Sequence, residues 1–143
     1  MAAGMSAPLY TREILRLAAD IPHLAPLAEP DGQAERRSPT CGSRMAVAVR
    51  MEDGRVAALS QRVEACAFGQ AAAALMGASA VGQDEDQLRA ALRGIERWLN
   101  GDEEAADSWL GLEVLDPARA RIGRHAAILL PFVTLLAAID EAQ

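Results

Sequence analysis

The chain of 143 residues contains no lysine, and all fourteen of its basic residues are arginine. The absence of lysine excludes mechanisms that need a lysine Schiff base or a lysine phosphate clamp. Aromatic residues make up only 3% of the chain, too few for the stacking platforms that bind single-stranded nucleic acids. The net charge of −6 leaves no basic excess for a phosphate backbone. Together these absences argue against nucleic acid as a partner.

Cysteine is also scarce, because Cys41 and Cys66 are the only two and cannot form a disulfide framework. The first eight residues show neither a charged region nor a long apolar stretch, so no secretory signal is predicted. The most apolar run, 126–139, is shorter than the roughly 20 residues of a membrane span. We therefore expect a cytoplasmic protein in a reducing compartment, with no membrane partner.

The apolar content of 51% is sufficient for one compact domain over residues 1–143. Residues 44–51 and 55–64 alternate between apolar and small or polar side chains, and the Asp53-Gly54 pair between them is typical of a hairpin turn. A further strand near residues 34–38 completes a small three-stranded antiparallel sheet. The proline-rich stretch 21–33 predicts a loop.

Four segments have helical composition or periodicity: 8–20, 69–77, 84–99 and 128–140. Pro131 suits the first turn of the last helix, which places the start of that helix near Ile128. The segment 102–108 reads as an exposed acidic loop. Since strands come early and helices late, the fold class is α+β, with about four to five helices packed on one face of the sheet.

The soft metal ligands are few, and two of them fall where the chain topology brings them together. Cys41 lies in a turn before the hairpin and Cys66 follows it, so both are expected at the same end of the sheet. The position of Cys66 before a helix favours a thiolate, the form that binds iron or zinc and attacks persulfide sulfur. Their spacing matches no short metal motif, however, and cysteines are often simply small buried apolar side chains.

The segment 38–82 resembles the U-type iron–sulfur cluster scaffold family: IscU, SufU and the amino-terminal domain of NifU. Pro39, Cys41 and Gly42 match the family's Pro-x-Cys-Gly turn, and Cys66 with Gln70 and Ala71 matches its second cysteine motif. Weaker similarity extends over nearly the whole chain. The resemblance implies an IscU-like fold and a non-enzymatic scaffold or carrier that binds iron, a 2Fe–2S cluster or zinc through Cys41 and Cys66. It also implies a cysteine desulfurase and apo iron–sulfur client proteins as partners.

The chain departs from the family pattern at two positions that carry ligands or assist cluster release. Ser43 stands where the family has aspartate. The third family cysteine is missing. Counting back along the chain from the matching segment that follows places it at Ala127, and counting forward from the matching segment that precedes places it at Ile122. His125 lies between these positions and is a candidate replacement ligand, although an ordinary surface histidine is an equally open reading. His23, in the proline-rich loop, is expected to be structural.

These departures leave several functions open. A cluster could be shared by a homodimer in which each chain contributes two cysteines, or one iron could have Cys and His ligands. Alternatively, the chain is a metal-free interaction module that kept the scaffold fold and lost the cluster site. A thiol enzyme with Cys66 as nucleophile and His125 as base is a third hypothesis.

Overall fold

A computed structural model of the chain describes residues 10–39 and 42–143. In these ranges the regular elements are α1 (Arg12–Ala19), β1 (Gly32–Arg37), β2 (Arg44–Glu52), β3 (Arg55–Glu64), α2 (Ala67–Ser79), α3 (Glu85–Leu99) and α4 (His125–Glu141). Three short 3₁₀ segments, Glu103–Ser108, Leu112–Ala118 and Ile122–Arg124, connect α3 to α4. The predicted α+β class and the three-stranded sheet are confirmed.

The sheet is antiparallel with strand order β1-β2-β3, so each strand pairs with its neighbour along the chain. Asp53 and Gly54 form the tight turn of the predicted hairpin with φ angles of 53° and 77°. This left-handed geometry matches the twist of the two strands, which explains why Asp-Gly is favoured there. A bulge at Arg50/Met51 shifts the register close to the turn.

The period of two in β2 separates a buried face from a half-exposed one. Met45, Val47 and Val49 are at most 2% exposed, whereas the alternating Ala46 and Ala48 remain accessible. Helix α4 packs against β1 and β2, and α2 packs against α4. The helices therefore cover one face of the sheet, as the sequence predicts.

Helix α4 begins earlier than expected, at His125, so the prediction that Pro131 lies in its first turn is wrong. The helix continues through Pro131 because its many buried side chains outweigh the one lost backbone hydrogen bond. Together with the preceding 3₁₀ turn, the segment 122–141 has the length and composition of a membrane span. More than half of its most apolar stretch is buried, so packing in the core accounts for its composition.

Helix α3 has the boundaries that its sequence predicts. The side chain of Asp84 accepts a hydrogen bond from the backbone N–H of Gln87, whose side chain in turn accepts one from the backbone N–H of Asp84. Such a capping box satisfies two of the free donors at a helix start. The segment 102–108 is not the simple exposed loop that we expected, because it forms a 3₁₀ helix with Ala105 buried.

Candidate functional site

Six elements meet at one end of the molecule, which we call the thiol end. Helices α1 and α2 both begin there, because the ring of Tyr10 lies 5.1 Å from that of Phe68, edge to face. Helix α4 begins there too, since Ala127 in its first turn lies against Gly69 of α2. Strands β1 and β3 end and β2 begins at the same place, as the pairing of Arg44 with Arg37 and Glu64 shows.

Cys66 is the N-cap residue of α2, with extended backbone angles of φ −66° and ψ 171°. Its carbonyl accepts the first helical hydrogen bond, from the N–H of Gln70 at 2.9 Å. The side chain is half-buried and makes no capping hydrogen bond. Cys66 is therefore at the N-terminus of α2, where the first backbone N–H groups of the helix have no partner within the helix.

Described residues on the two sides of Cys41 are joined by backbone hydrogen bonds. The N–H of Ser38 donates to the carbonyl of Ser43 at 2.8 Å, and Gly42 adopts a positive φ of 72°. Ser43 is only 3% exposed, so it is part of the packing of the turn. Cys41 itself lies outside the described residues, and its convergence with Cys66 stays a prediction.

His125 is half-buried at the first residue of α4, and its Nε2 lies 2.9 Å from the carbonyl oxygen of Arg119. Because a carbonyl only accepts hydrogen bonds, Nε2 must donate. In the neutral ring this leaves a lone pair on Nδ1. Histidines that bind metals usually donate their other ring N–H to a carbonyl or carboxylate in this way. The contact therefore fixes a tautomer that suits a ligand.

Arg119 holds this carbonyl in place from a nearly buried position. Its guanidinium lies 4.6 Å from the ring centre of Trp98, and its Nε donates to the Trp98 carbonyl at 2.9 Å. It also forms ion pairs with Glu103 and Asp116. Burial alone would lower the pKa of Arg119, but the hydrogen bonds to these two carboxylates outweigh it and the pKa is raised.

Ala127 is 1% exposed and faces the first turn of α2. A Cβ placed on Gly69 would lie 3.3 Å from the Ala127 carbonyl oxygen and 3.4 Å from its Cβ. Ile122, the other position suggested by counting, is 81% exposed. Ala127 is therefore the one of the two that lies next to the helix of Cys66.

Comparison with solved structures identifies the fold. The chain is 33% identical to the amino-terminal part of a nitrogen-fixing NifU-like protein from Brucella abortus, with a TM-score of 0.82 over 94% of both chains. The chain belongs to the NifU-like family.

A scaffold protein for the SUF system of Fervidobacterium islandicum shares the fold, with a TM-score of 0.80 and 17% sequence identity. The match covers 92% of this chain and 96% of that chain. A hypothetical protein also shares the fold, with a TM-score of 0.76 and 18% sequence identity. The match covers 90% of this chain and 94% of that chain. No family model matches the chain, and no curated protein sequence matches it.

In this NifU-like chain His23 is placed away from Cys66, near the other end of α2. Its Nε2 donates to the Gly77 carbonyl at 3.1 Å, and its own carbonyl accepts from the N–H of Gln61 at 2.8 Å. The buried Gln61 side chain donates in addition to the carbonyls of Pro22 and Ala73. These bonds fasten the proline-rich loop to α2, which agrees with the expectation that His23 is structural.

Within residues 10–39 and 42–143, no three His, Cys, Asp or Glu side chains are close enough together to form a metal-ligand set. The sequence reasoning also missed Arg119 and the ion pair of Arg44 with Glu64. The hydrogen bond from Arg44 to Glu64 within that ion pair raises the pKa of Arg44. Neither had a signal in the sequence, because Trp98 lies 21 residues from Arg119 and Glu64 lies 20 residues from Arg44, so that only the fold brings these partners together.

Proposed function

We propose that this chain is a scaffold or carrier in iron–sulfur cluster assembly that holds iron, a 2Fe–2S cluster or zinc through Cys41 and Cys66, with His125 as a third donor. Membership in the NifU-like family supports the process. The observation that carries the site is the position of Cys66, half-exposed at the start of α2 with no side-chain capping bond.

The ligand chemistry agrees with this proposal. Thiolate sulfur and neutral imidazole nitrogen are the donors that zinc and iron–sulfur clusters take from proteins. The Nδ1 of His125 has a lone pair while Nε2 is bound to the Arg119 carbonyl. Because a tetrahedral site needs four donors, the fourth would come from sulfide, water, a client protein or a second copy of the chain.

The expected partners are a cysteine desulfurase and apo iron–sulfur proteins. In sulfur transfer, the thiolate of Cys66 attacks the terminal sulfur of the desulfurase persulfide. A new S–S bond forms on Cys66, the donor S–S bond breaks, and the desulfurase cysteine leaves as a thiolate. This exchange needs no external oxidant or reductant.

The test is anaerobic reconstitution of the full chain with ferrous iron, cysteine and a cysteine desulfurase, followed by metal analysis and visible absorption. We expect bound iron and a charge-transfer band, both lost in Cys41→Ser and Cys66→Ser. His125→Asn is expected to weaken binding, whereas the matched control His23→Asn is not. Absence of iron, zinc and visible absorption from the wild-type chain would overturn the proposal.

A metal-free interaction module is the second candidate, and the small buried Ala127 beside α2 favours it, because this position offers no donor atom. The two candidates differ in what the double variant Cys41→Ser/Cys66→Ser does in cells. If that variant supports normal iron–sulfur enzyme activities while a deletion of the gene does not, the module is correct. If the variant behaves like the deletion, the thiols are required.

A further inference from the structure

Charge is distributed unevenly over this acidic chain, and the thiol end is its basic part. Six arginines lie on the elements that meet there, along α1, at the end of β1 and at the 3₁₀ turn before α4, and we call them the arginine rim: Arg12, Arg16, Arg36, Arg37, Arg121 and Arg124. Five of them are exposed, and Arg124 is half-buried.

The arginines of the rim make no ion pair among the described residues, whereas four of the eight other arginines do. Arg89 pairs with Glu85 and Asp140, Arg97 with Asp102, and Arg119 with two carboxylates. Residues 1–9, 40 and 41, which the structure does not describe, contain no Asp or Glu. The ion-pairing capacity of the rim is therefore unused within the chain.

The carboxylates near the rim do not neutralise it. Glu64 already forms an ion pair with Arg44. Glu35 shares the outer side of the sheet with Arg37 of the rim but forms no ion pair with it. Glu13 alone lies among the rim arginines on α1. The acidic segment 102–116 follows α3, and its Glu103 and Asp116 pair with Arg119 and not with the rim.

Two large apolar side chains are exposed within the same area. Ile122, between Arg121 and Arg124, is 81% exposed, and Leu15 on α1 is 51% exposed. Protein interfaces typically combine a few apolar contacts with charges that are complementary across the contact.

We propose that the arginine rim is the docking surface for an acidic protein surface with an apolar centre. Opposite charge steers such a partner toward the end that carries Cys66, and Ile122 and Leu15 provide apolar contact after docking. Nucleic acid and an anionic bilayer fit less well. Both are extended polyanions that reach beyond the rim, where the chain, with its net charge of −6, repels them.

The test uses the full chain and a fluorescein-labelled twelve-residue peptide of glutamate and leucine in fluorescence anisotropy at 50 and 500 mM salt. We expect binding that weakens with salt and falls at least tenfold in the variant Arg12→Glu/Arg121→Glu/Arg124→Glu. The matched control Arg50→Glu/Arg93→Glu reverses two arginines outside the rim that make no ion pair among the described residues. This control should retain the wild-type affinity.

Three outcomes would overturn the proposal: equal loss in the control, no binding by the wild-type chain, or tighter binding of a 12-base-pair DNA duplex or of phosphatidylserine vesicles than of the peptide. Circular dichroism of each variant shows whether it is folded. Should the triple variant fail to fold, Arg121→Gln/Arg124→Gln is used, with at least a threefold loss expected. Cys66→Ser must leave the peptide affinity unchanged, which separates this proposal from metal binding.

Discussion

The two ends of the molecule are built differently. At the end with the β2–β3 turn, charged groups link the start of α3 to the end of α4: Arg89 contacts Glu85 and Asp140, and the Gln143 side chain donates to Glu85 at 2.6 Å. At the thiol end six arginines make no ion pair and Ile122 is exposed. The difference indicates that the turn end stabilises the fold, whereas the thiol end keeps polar groups available for ligands and partners.

The largest effect is expected from Gly32→Ala, near the turn end. A Cβ on Gly32 would collide with the carbonyl oxygen of Ala138 and lie 2.6 Å from the backbone nitrogen of Ala142, at the end of α4. Backbone cannot move aside as a side chain does, so we expect a loss of about 3 kcal/mol in the free energy of unfolding, the upper range for overpacking. Urea denaturation measures it.

The matched control for Gly32 is Gly123→Ala at the thiol end, where an added Cβ meets nothing within 4 Å. It should change the free energy of unfolding by less than about 1 kcal/mol. Similar losses in both variants would contradict the view that collision with the α4 backbone causes the loss in Gly32→Ala.

A smaller loss in the free energy of unfolding is expected from Arg119→Ala, because the Arg119 side chain stabilises the thiol end. The variant loses the contact with the Trp98 ring and the hydrogen bond to its carbonyl, together worth about 2 kcal/mol. Thermal and urea unfolding measure it, with the exposed Arg121→Ala as the control. If the two variants are equally stable, Arg119 does not support the site.

Ala127→Cys tests the thiol end through its metal affinity instead of its stability. It places a third thiol against the first turn of α2. We expect at least tenfold tighter zinc binding in a competition titration with a chromophoric chelator, equivalent to about 1.4 kcal/mol.

Ala126→Cys is the matched control, because it puts a thiol on the half-buried neighbouring position of the same helix turn. Equal affinities of the two cysteine variants would show that position 127 has no special relation to Cys66.

The smallest effect concerns pH at the turn end. The hydrogen bond from Gln143, followed by that from Arg89, lowers the pKa of Glu85. Glu85 therefore contributes stability above the ordinary glutamate pKa of about 4.3, and this contribution disappears as the pH falls through the lowered value. Glu85→Gln should slightly flatten the acid limb of the stability profile, and the exposed neighbour variant Asp86→Asn should not.

Local sequence predicted most of the elements because each had a strong local signal. Alternation and Asp53-Gly54 predicted the hairpin, and the Asp84 cap and Asn100 gave the limits of α3. Prediction failed at the start of α4, which was expected near Ile128 with Pro131 in the first turn, because burial on both sides of the proline lets the helix begin at His125. The same reason applies to the segment 102–108, where burial of Ala105 folds an acidic stretch into a 3₁₀ helix.

The sequence by itself determined the α+β fold, the two candidate thiols and the family resemblance, because these follow from short-range patterns. Only the tertiary structure decided that His125 donates to the Arg119 carbonyl, that Ala127 rather than Ile122 adjoins α2, and that the elements with the rim arginines meet at the end where α2 begins. These features join residues far apart along the chain, and no local pattern encodes a contact that packing alone creates.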